Sequence, residues 1–230
     1  MAFDPLAISI GSIDEIATMA EISIHYCVRL ALIGVATKDV ASKAQRMNYE
    51  VGFGNSNHAR TVRHNWAMSE TTGGFTSEGL ALEARTLVLP SLTQAEAIEI
   101  GEIAKAIGME RALPIAVEVR LKEWIVFHAS LPGSTPDNDA WIARKARVTM
   151  ATGNSTMFER VLAEEQGVNW YEVKGLPEQT HAIHGGSLPL NVRGLGFTGI
   201  LLISGLPQVQ DHLLGVEVIA EFLARKGELS

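Results

Sequence analysis

Apolar residues recur with two different periods from about Leu80 to the end of the chain. Segments with apolar positions three or four residues apart predict helices, and segments that alternate apolar and polar residues predict strands. The predicted helices are 91–107, ended by Gly108, one begun by Thr135 and Pro136, one around 158–165, and a last one opened by Pro207. The predicted strands form two hairpins, 113–120 with 123–129 and 188–193 with 196–204. Hairpins separated by helices predict an antiparallel sheet covered by helices, the α+β class.

The first hairpin has a predicted turn at Leu121 and Lys122. This register places His128 opposite Ile115, on the side where the apolar residues point. A histidine on an apolar strand face is more often a buried, hydrogen-bonded side chain than a ligand. His128 is therefore a weaker candidate for a binding residue.

The first 78 residues have another pattern. Apolar positions between 13 and 46 recur at helical spacing and predict one or two helices, whereas 48–79 collects glycine, asparagine, serine and threonine and predicts an irregular arm. We therefore divide the chain into a partly helical N-terminal extension, 1–78, and a domain, 79–230. The extension is expected to serve oligomerisation or to act as a lid.

Composition limits the class of protein. The 230 residues are 47% hydrophobic and 20% charged, which suits a globular fold, and the net charge of -7 disfavours a nucleic-acid partner. The single cysteine, Cys27, cannot form an intrachain disulfide, and the start of the chain has no secretory pattern. Charged residues interrupt the longest apolar stretch, 16–37. We expect a soluble, cytoplasmic protein without membrane contact.

Common catalytic motifs are absent: the sequence has no GxxxxGK[ST], GxSxG, HExxH or CxxC. A GxGxxG-like stretch, 194–199, lies inside the second predicted hairpin, where a dinucleotide fingerprint cannot work. Three other clusters carry candidate chemistry. The histidines of the predicted arm, His25, His58 and His64, form no recognisable metal spacing, and the sequence assigns no metal.

The first cluster is His181 to Ser187, with His184 followed by Gly185 and Gly186. The glycines allow the backbone to approach a ligand closely, and the imidazole can move a proton or bind a metal. The alternative is a glycine turn that begins a strand, with a histidine bonded to a carbonyl.

The second cluster, 204–212, runs from a strand end into a helix and contains Asp211 and His212. The free amides of a helix start favour an anion, and His212 could assist as an acid or base. Alternatively, Asp211 complements the helix dipole and His212 packs beside the apolar stripe. The residues alone slightly favour this alternative.

The third cluster is the helix start with Asn138, Trp141 and Arg144. Arg144 shares a face with Trp141, so its guanidinium either passes along the core or grips a carboxylate through two parallel hydrogen bonds. The neighbouring Lys145 and Arg147 are expected on a solvated helix face.

Two runs, FHASLPGSTPDNDAWIARKARV and HAIHGGSLPLNVRGLGFTGILLISGLPQVQDH, resemble the haem-degrading-domain superfamily, in particular its cytoplasmic branch of GlcG-like and HbpS-like proteins. The resemblance covers about residues 82–224. It implies a profilin-like, three-layer α/β/α sandwich around a five-stranded antiparallel sheet, assembled into homo-oligomers. Some relatives bind haem or other tetrapyrroles, so haem is the one cofactor that the resemblance implies.

Two functions stay open. One is a binding protein that holds haem or another carboxylate-bearing ligand, with His128, Asn138, Trp141, Arg144, Gly185, Gly186 and Asp211 as its ligand-binding residues. The other is a nucleotide-independent lyase, isomerase or hydrolase-type enzyme that acts on a small carboxylate-bearing substrate. In that enzyme His184 and His212 would be the acid and base, and Arg144 the anchor.

Overall fold

The computed structural model describes residues 72–228. The helices predicted within 13–46 and most of the predicted arm lie outside the described residues. The described elements are α1 (Ser77–Thr86), α2 (Gln94–Glu110), β1 (Ala116–Leu121), β2 (Trp124–Ser130), α3 (Pro136–Thr152), α4 (Thr156–Gln166), α5 (Trp170–Lys174), β3 (Ser187–Val192), β4 (Gly196–Ser204) and α6 (Gln208–Arg225). Helix α1 crosses the boundary that we predicted at residue 78, and the division into two domains stays a prediction.

The strands form an antiparallel sheet in the order β2-β1-β4-β3. The expectation of five strands is wrong for residues 72–228, where the sheet has four. Leu89 reaches the outer edge but makes only an isolated parallel bridge to Val192. The next residue, Pro90, has no N–H group with which to extend the ladder.

Helices cover both faces of this sheet, which confirms the α+β class with an antiparallel sheet. Helix α3 packs on one face, where Ile142 and Ala146 join Ala116, Ile200 and Leu202 in a buried cluster. Helices α2 and α6 cover the other face. There, Gly101 of α2 lies against Phe127, and Gly215 of α6 lies against Leu188, so closely that a Cβ would clash at either glycine.

The predicted register of the first hairpin is wrong. The turn lies at Lys122 and Glu123, one residue later than expected, and Lys122 adopts a φ of 54°. A register irregularity between Val119 and Arg120 shifts the pairing by one further residue. As a result His128 lies opposite Glu118, and Ile115 precedes the strand.

The observed helix ends agree with some of the predicted helix ends and differ from others. Pro136 opens α3 after Thr135, as predicted. Helix α2 begins at Gln94, three residues later than predicted, where Thr93 caps it through a capping box with Glu96. The prediction that Gly108 ends α2 is wrong, because the helix continues to Glu110. Gly108 is needed for packing instead, since a Cβ there would lie 2.4 Å from Cδ1 of Leu131.

Among residues 72–228, no helix combines the length and the apolar composition that crossing a membrane requires.

Candidate functional site

A pocket of about 260 Å³ opens where three segments meet: the first turns of α3, the loop before β3 and the junction from β4 to α6. We call it the α3–α6 pocket. Its lining residues are Asn138, Trp141, Lys145, His184, Ser204, Gly205, Leu206, Gln208 and Asp211. The three sequence clusters that we singled out therefore each contribute side chains to one cavity.

A buried ion pair forms one wall of the pocket. The Nζ atom of Lys145 lies 2.8 Å from Oδ2 of Asp211 and donates to the carbonyl oxygen of Ile203 at 3.0 Å. The other carboxylate oxygen of Asp211 accepts a hydrogen bond from the amide of Leu206 at 3.0 Å. Lys145 is only 2% exposed and Asp211 1%.

Burial moves both groups toward their neutral forms. It lowers the pKa of the Lys145 ammonium, against the attraction of Asp211. It also raises the pKa of the Asp211 carboxyl, against Lys145 and the amides of Leu206 and Gly205. Burial therefore opposes the charged form of each side chain, while the attraction between Lys145 and Asp211 favours it.

The expectation that Lys145 lies on a solvated face is wrong, and this is the site residue that the sequence analysis missed. A signal existed: Lys145 is three residues after Ile142 and four before Thr149, both of which are buried. Positions with that spacing share one helix face.

His184 lines the pocket beside Trp141, with ring centroids 4.8 Å apart in an edge-on arrangement. Its Nδ1 atom is buried and has no hydrogen-bond partner within the described residues. Burial first, and then the charges of Arg160, Lys145 and Arg144, lower the pKa of His184 to about 4. The imidazole is consequently neutral near pH 7.

Arg144 does not line the pocket. Its guanidinium lies over the Trp141 ring, 4.5 Å from the centroid, and Nη2 donates to the carbonyl oxygen of Glu178 at 2.8 Å. Trp141 thus contacts both the Arg144 guanidinium and the His184 ring. In this position Arg144 orients the aromatic wall.

Gly185 and Gly186 contact protein atoms at short range. A Cβ on Gly185 would lie 2.2 Å from the carbonyl oxygen of Gln208. Gly186 has a φ of 110°, and a Cβ there would lie 2.4 Å from the carbonyl oxygen of Ile203 and 2.8 Å from Nζ of Lys145. The glycines therefore make room for the start of α6 and for the lysine amine.

The remaining pocket polar group from α3 is Asn138. Its Oδ1 atom accepts a hydrogen bond from the amide of Thr135 at 2.7 Å, which fixes the side chain at the helix start. The described residues contain no group of three or more histidine, cysteine, aspartate or glutamate side chains arranged to hold a metal ion.

The family model described as "Haem degrading protein HbpS-like" matches residues 92–220, more than half of the chain. The chain belongs to the HbpS-like family. The matched range contains every side chain that lines the α3–α6 pocket.

Relatives within this group cover most of the chain. A UPF0303 protein of Streptomyces avermitilis is 39% identical over 158 residues, which are 69% of this chain and 97% of the relative. The UPF0303 protein SCO2848 of Streptomyces coelicolor is 38% identical over 156 residues, 68% of this chain and 99% of the relative. The crystal structure of the Ybr137w protein is similar with a TM-score of 0.60 at 25% identity, covering 69% of this chain and 94% of that one.

Two of the predicted site histidines lie away from the pocket of this HbpS-like chain. His212 is fully buried, with Nε2 2.9 Å from Oε1 of Glu83 on α1 and its ring edge-on to Phe75. His128 lies on β2 with Nδ1 3.3 Å from Glu118 and Nε2 3.5 Å from Asp139. Neither histidine is among the lining residues, and their roles in ligand binding or catalysis stay predictions.

Proposed function

We propose that this HbpS-like protein is a cytoplasmic homo-oligomer that binds a small molecule in the α3–α6 pocket. The observation that carries the proposal is the convergence of Lys145, Asp211 and His184 on one cavity, from three separate segments. A pocket with a few converging polar groups and perturbed pKa values is the usual form of a binding site. Packing alone does not require a buried lysine beside a half-buried neutral imidazole.

The size of the pocket favours a compact ligand. Pockets for drug-sized ligands occupy roughly 300–1,000 Å³, and the α3–α6 pocket is smaller, at about 260 Å³. Its charges also compensate each other, because Lys145 is paired with Asp211. A small polar compound with carbonyl or carboxylate oxygens suits the amide of Asn138 and the donors at the start of α6.

Haem is the ligand that the family description names, and the residues fit it in part. His184 supplies a neutral imidazole of the kind that binds iron. At about 260 Å³, the pocket is too small to enclose the whole macrocycle. Iron, when bound, supplies redox chemistry, and the side chain of His184 would hold it.

Titration with haemin tests this ligand. We expect a saturable shift of the Soret band for the full-length protein, and about tenfold weaker binding, or 1.4 kcal/mol, for His184→Ala. His181→Ala is the matched control, because His181 bonds to Thr180 and lies outside the pocket lining. Equal haemin affinity of the His184→Ala variant and the parent protein would place haem elsewhere.

The compact ligand is tested separately by thermal shift with pyruvate and other small carboxylates. Stabilisation that His181→Ala retains and that Asn138→Ala and His184→Ala lose supports the pocket. If neither haemin nor any of these compounds binds, the proposed function fails.

An enzyme that acts on a small carboxylate-bearing substrate is the second candidate. The buried pair of Lys145 and Asp211 favours it, because a lysine and a carboxyl group in contact at a pocket wall can exchange protons with a ligand. His184 could join them as a neutral acid or base. Arg144 and His212, which we expected to take part, do not line the pocket.

A further inference from the structure

The amine of Lys145 has two of its three hydrogen-bonding directions occupied. Asp211 takes one at 2.8 Å, and the carbonyl oxygen of Ile203 takes another at 3.0 Å. An amine nitrogen is tetrahedral, so one direction remains, and Lys145 is among the residues that line the pocket. If both hydrogens of the neutral amine are donated to these acceptors, the lone pair occupies that remaining direction.

The surroundings keep this nitrogen in place and out of bulk water. Gly186 makes room for it, since a Cβ at that position would lie 2.8 Å from Nζ. Asp211 is held in turn by the amide of Leu206. Burial favours the neutral forms of both side chains, and only a neutral lysine amine can attack a carbonyl carbon.

We propose that Lys145 forms an imine with a small aldehyde or ketone bound in the α3–α6 pocket, with Asp211 as the group that exchanges protons. This inference rests on the proposed function, because it requires the pocket to admit a small molecule. It extends that function by naming the class of compound and the bond that is formed.

The step is balanced with these two side chains alone. The lone pair of Nζ forms a bond to the carbonyl carbon, and the carbonyl oxygen takes the proton of the neutral Asp211 carboxyl. Asp211 then removes one proton from the nitrogen and returns it to the hydroxyl group, which leaves as water. The products are a protonated imine on Lys145, a carboxylate on Asp211 and one water molecule. These products leave an ion pair between the protonated imine and the Asp211 carboxylate.

Reductive trapping tests the proposal. The full-length protein is incubated with pyruvate and sodium cyanoborohydride, and the modified lysines are located by mass spectrometry of peptides. Lys105, which pairs with Glu102 on the surface of α2, is the internal reference. We expect Lys145 to be modified at least about ten times faster than Lys105, which corresponds to 1.4 kcal/mol in the barrier.

Controls separate a reactive amine from a merely accessible one. In urea, where the pocket is lost, labelling of Lys145 should fall to that of Lys105. Asp211→Asn should slow labelling of Lys145 about tenfold or more while leaving Lys105 unchanged. Because the parent protein itself reports the modified residue, the test does not depend on how well the variant folds.

The outcomes distinguish the two claims. Modification of Lys105 without modification of Lys145 overturns the imine. If pyruvate nevertheless stabilises the protein in the thermal-shift assay, the pocket still binds small molecules and only the covalent step is wrong.

Discussion

The Nζ atom of Lys145 lies 2.8 Å from Oδ2 of Asp211, and this contact joins helices that cover opposite faces of the sheet. Lys145 extends from α3 past the end of β4, where it also bonds Ile203, and meets Asp211 in the first turns of α6. The side chains can meet because Gly186, just before β3, leaves the space between them open. The same contact thus links α3 to α6 and forms a wall of the pocket.

Removing one member of this pair should destabilise the protein strongly. Lys145→Met leaves the buried Asp211 carboxyl group without its partner, and we expect a loss of about 3–5 kcal/mol in the free energy of unfolding. The double variant Lys145→Met/Asp211→Leu should recover much of the stability that Lys145→Met loses. Urea titration measures both variants. Lys105→Met, on the surface, is the control and should cost less than about 1 kcal/mol; an equal loss for both lysine variants would contradict the role of the buried pair.

Substitution of Gly185 tests the close approach of the loop to α6. Gly185→Ala would place a Cβ 2.2 Å from the carbonyl oxygen of Gln208, and backbone atoms cannot move aside cheaply. We expect a loss of about 3 kcal/mol in stability. Gly194→Ala is matched to it, because nothing lies within 4 Å and only its φ of 78° is unfavourable. That variant should lose about 1–2 kcal/mol.

His184 should make stability depend on pH. Its pKa is about 4 in the folded protein and 6.5 ordinarily, so between these values the unfolded chain binds more protons at this residue. The contribution of His184 to the free energy of unfolding is therefore complete above pH 6.5. It is lost as the pH falls toward 4. For this half-buried ring we expect a contribution on the order of 1 kcal/mol after screening by solvent.

Urea midpoints measured from pH 4 to 7 check this dependence. His184→Gln should show a shallower dependence than the parent protein, whereas His181→Gln should retain the parent's slope. Parallel curves for all three proteins would contradict the low pKa of His184.

Truncation tests how much of the chain the domain needs. A chain that begins at Thr72 keeps α1, whose Glu83 bonds the buried His212. We expect it to unfold cooperatively, as judged by circular dichroism in urea. A chain that begins at Leu87 loses α1, exposes His212 and should be less stable by several kcal/mol. Loss of cooperativity in the longer fragment would show that residues 1–71 complete the core.

Self-association should depend on the β2 edge of the described sheet. Strand β2 is an edge strand in the described sheet, and Trp124 and Ile125 on it are 57% and 47% exposed. Exposed apolar side chains on an open edge favour pairing between chains. We expect light scattering to show an oligomer for the full-length protein and dissociation for Ile125→Lys. Leu195→Lys, in the other hairpin turn, is the control; a monomeric parent protein would contradict this prediction.

Local signals in the sequence were sufficient for most of the domain. Apolar residues at helical spacing predicted α2, and Thr135 with Pro136 predicted the start of α3. Alternation around Gly194 predicted the pair of β3 and β4. Each of these signals acts within a few residues, through backbone hydrogen bonds that the sequence specifies directly. Local patterns of residue types also identified the three clusters that line the pocket.

Tertiary contacts decided the rest. The register that sets His128 opposite Glu118 depends on a turn and an irregularity within the strands, which alternation cannot place to one residue. Glycine is common at helix ends, so the sequence predicts a helix end at Gly108. In the structure, however, the absence of a side chain at Gly108 leaves room for Leu131, which comes from a distant segment. The sequence predicts that Lys145 is a surface cation. Folding pairs it with Asp211 of α6, 66 residues later in the chain. Burial of a charge is determined by the partner that folding brings to it, and no local pattern contains that partner.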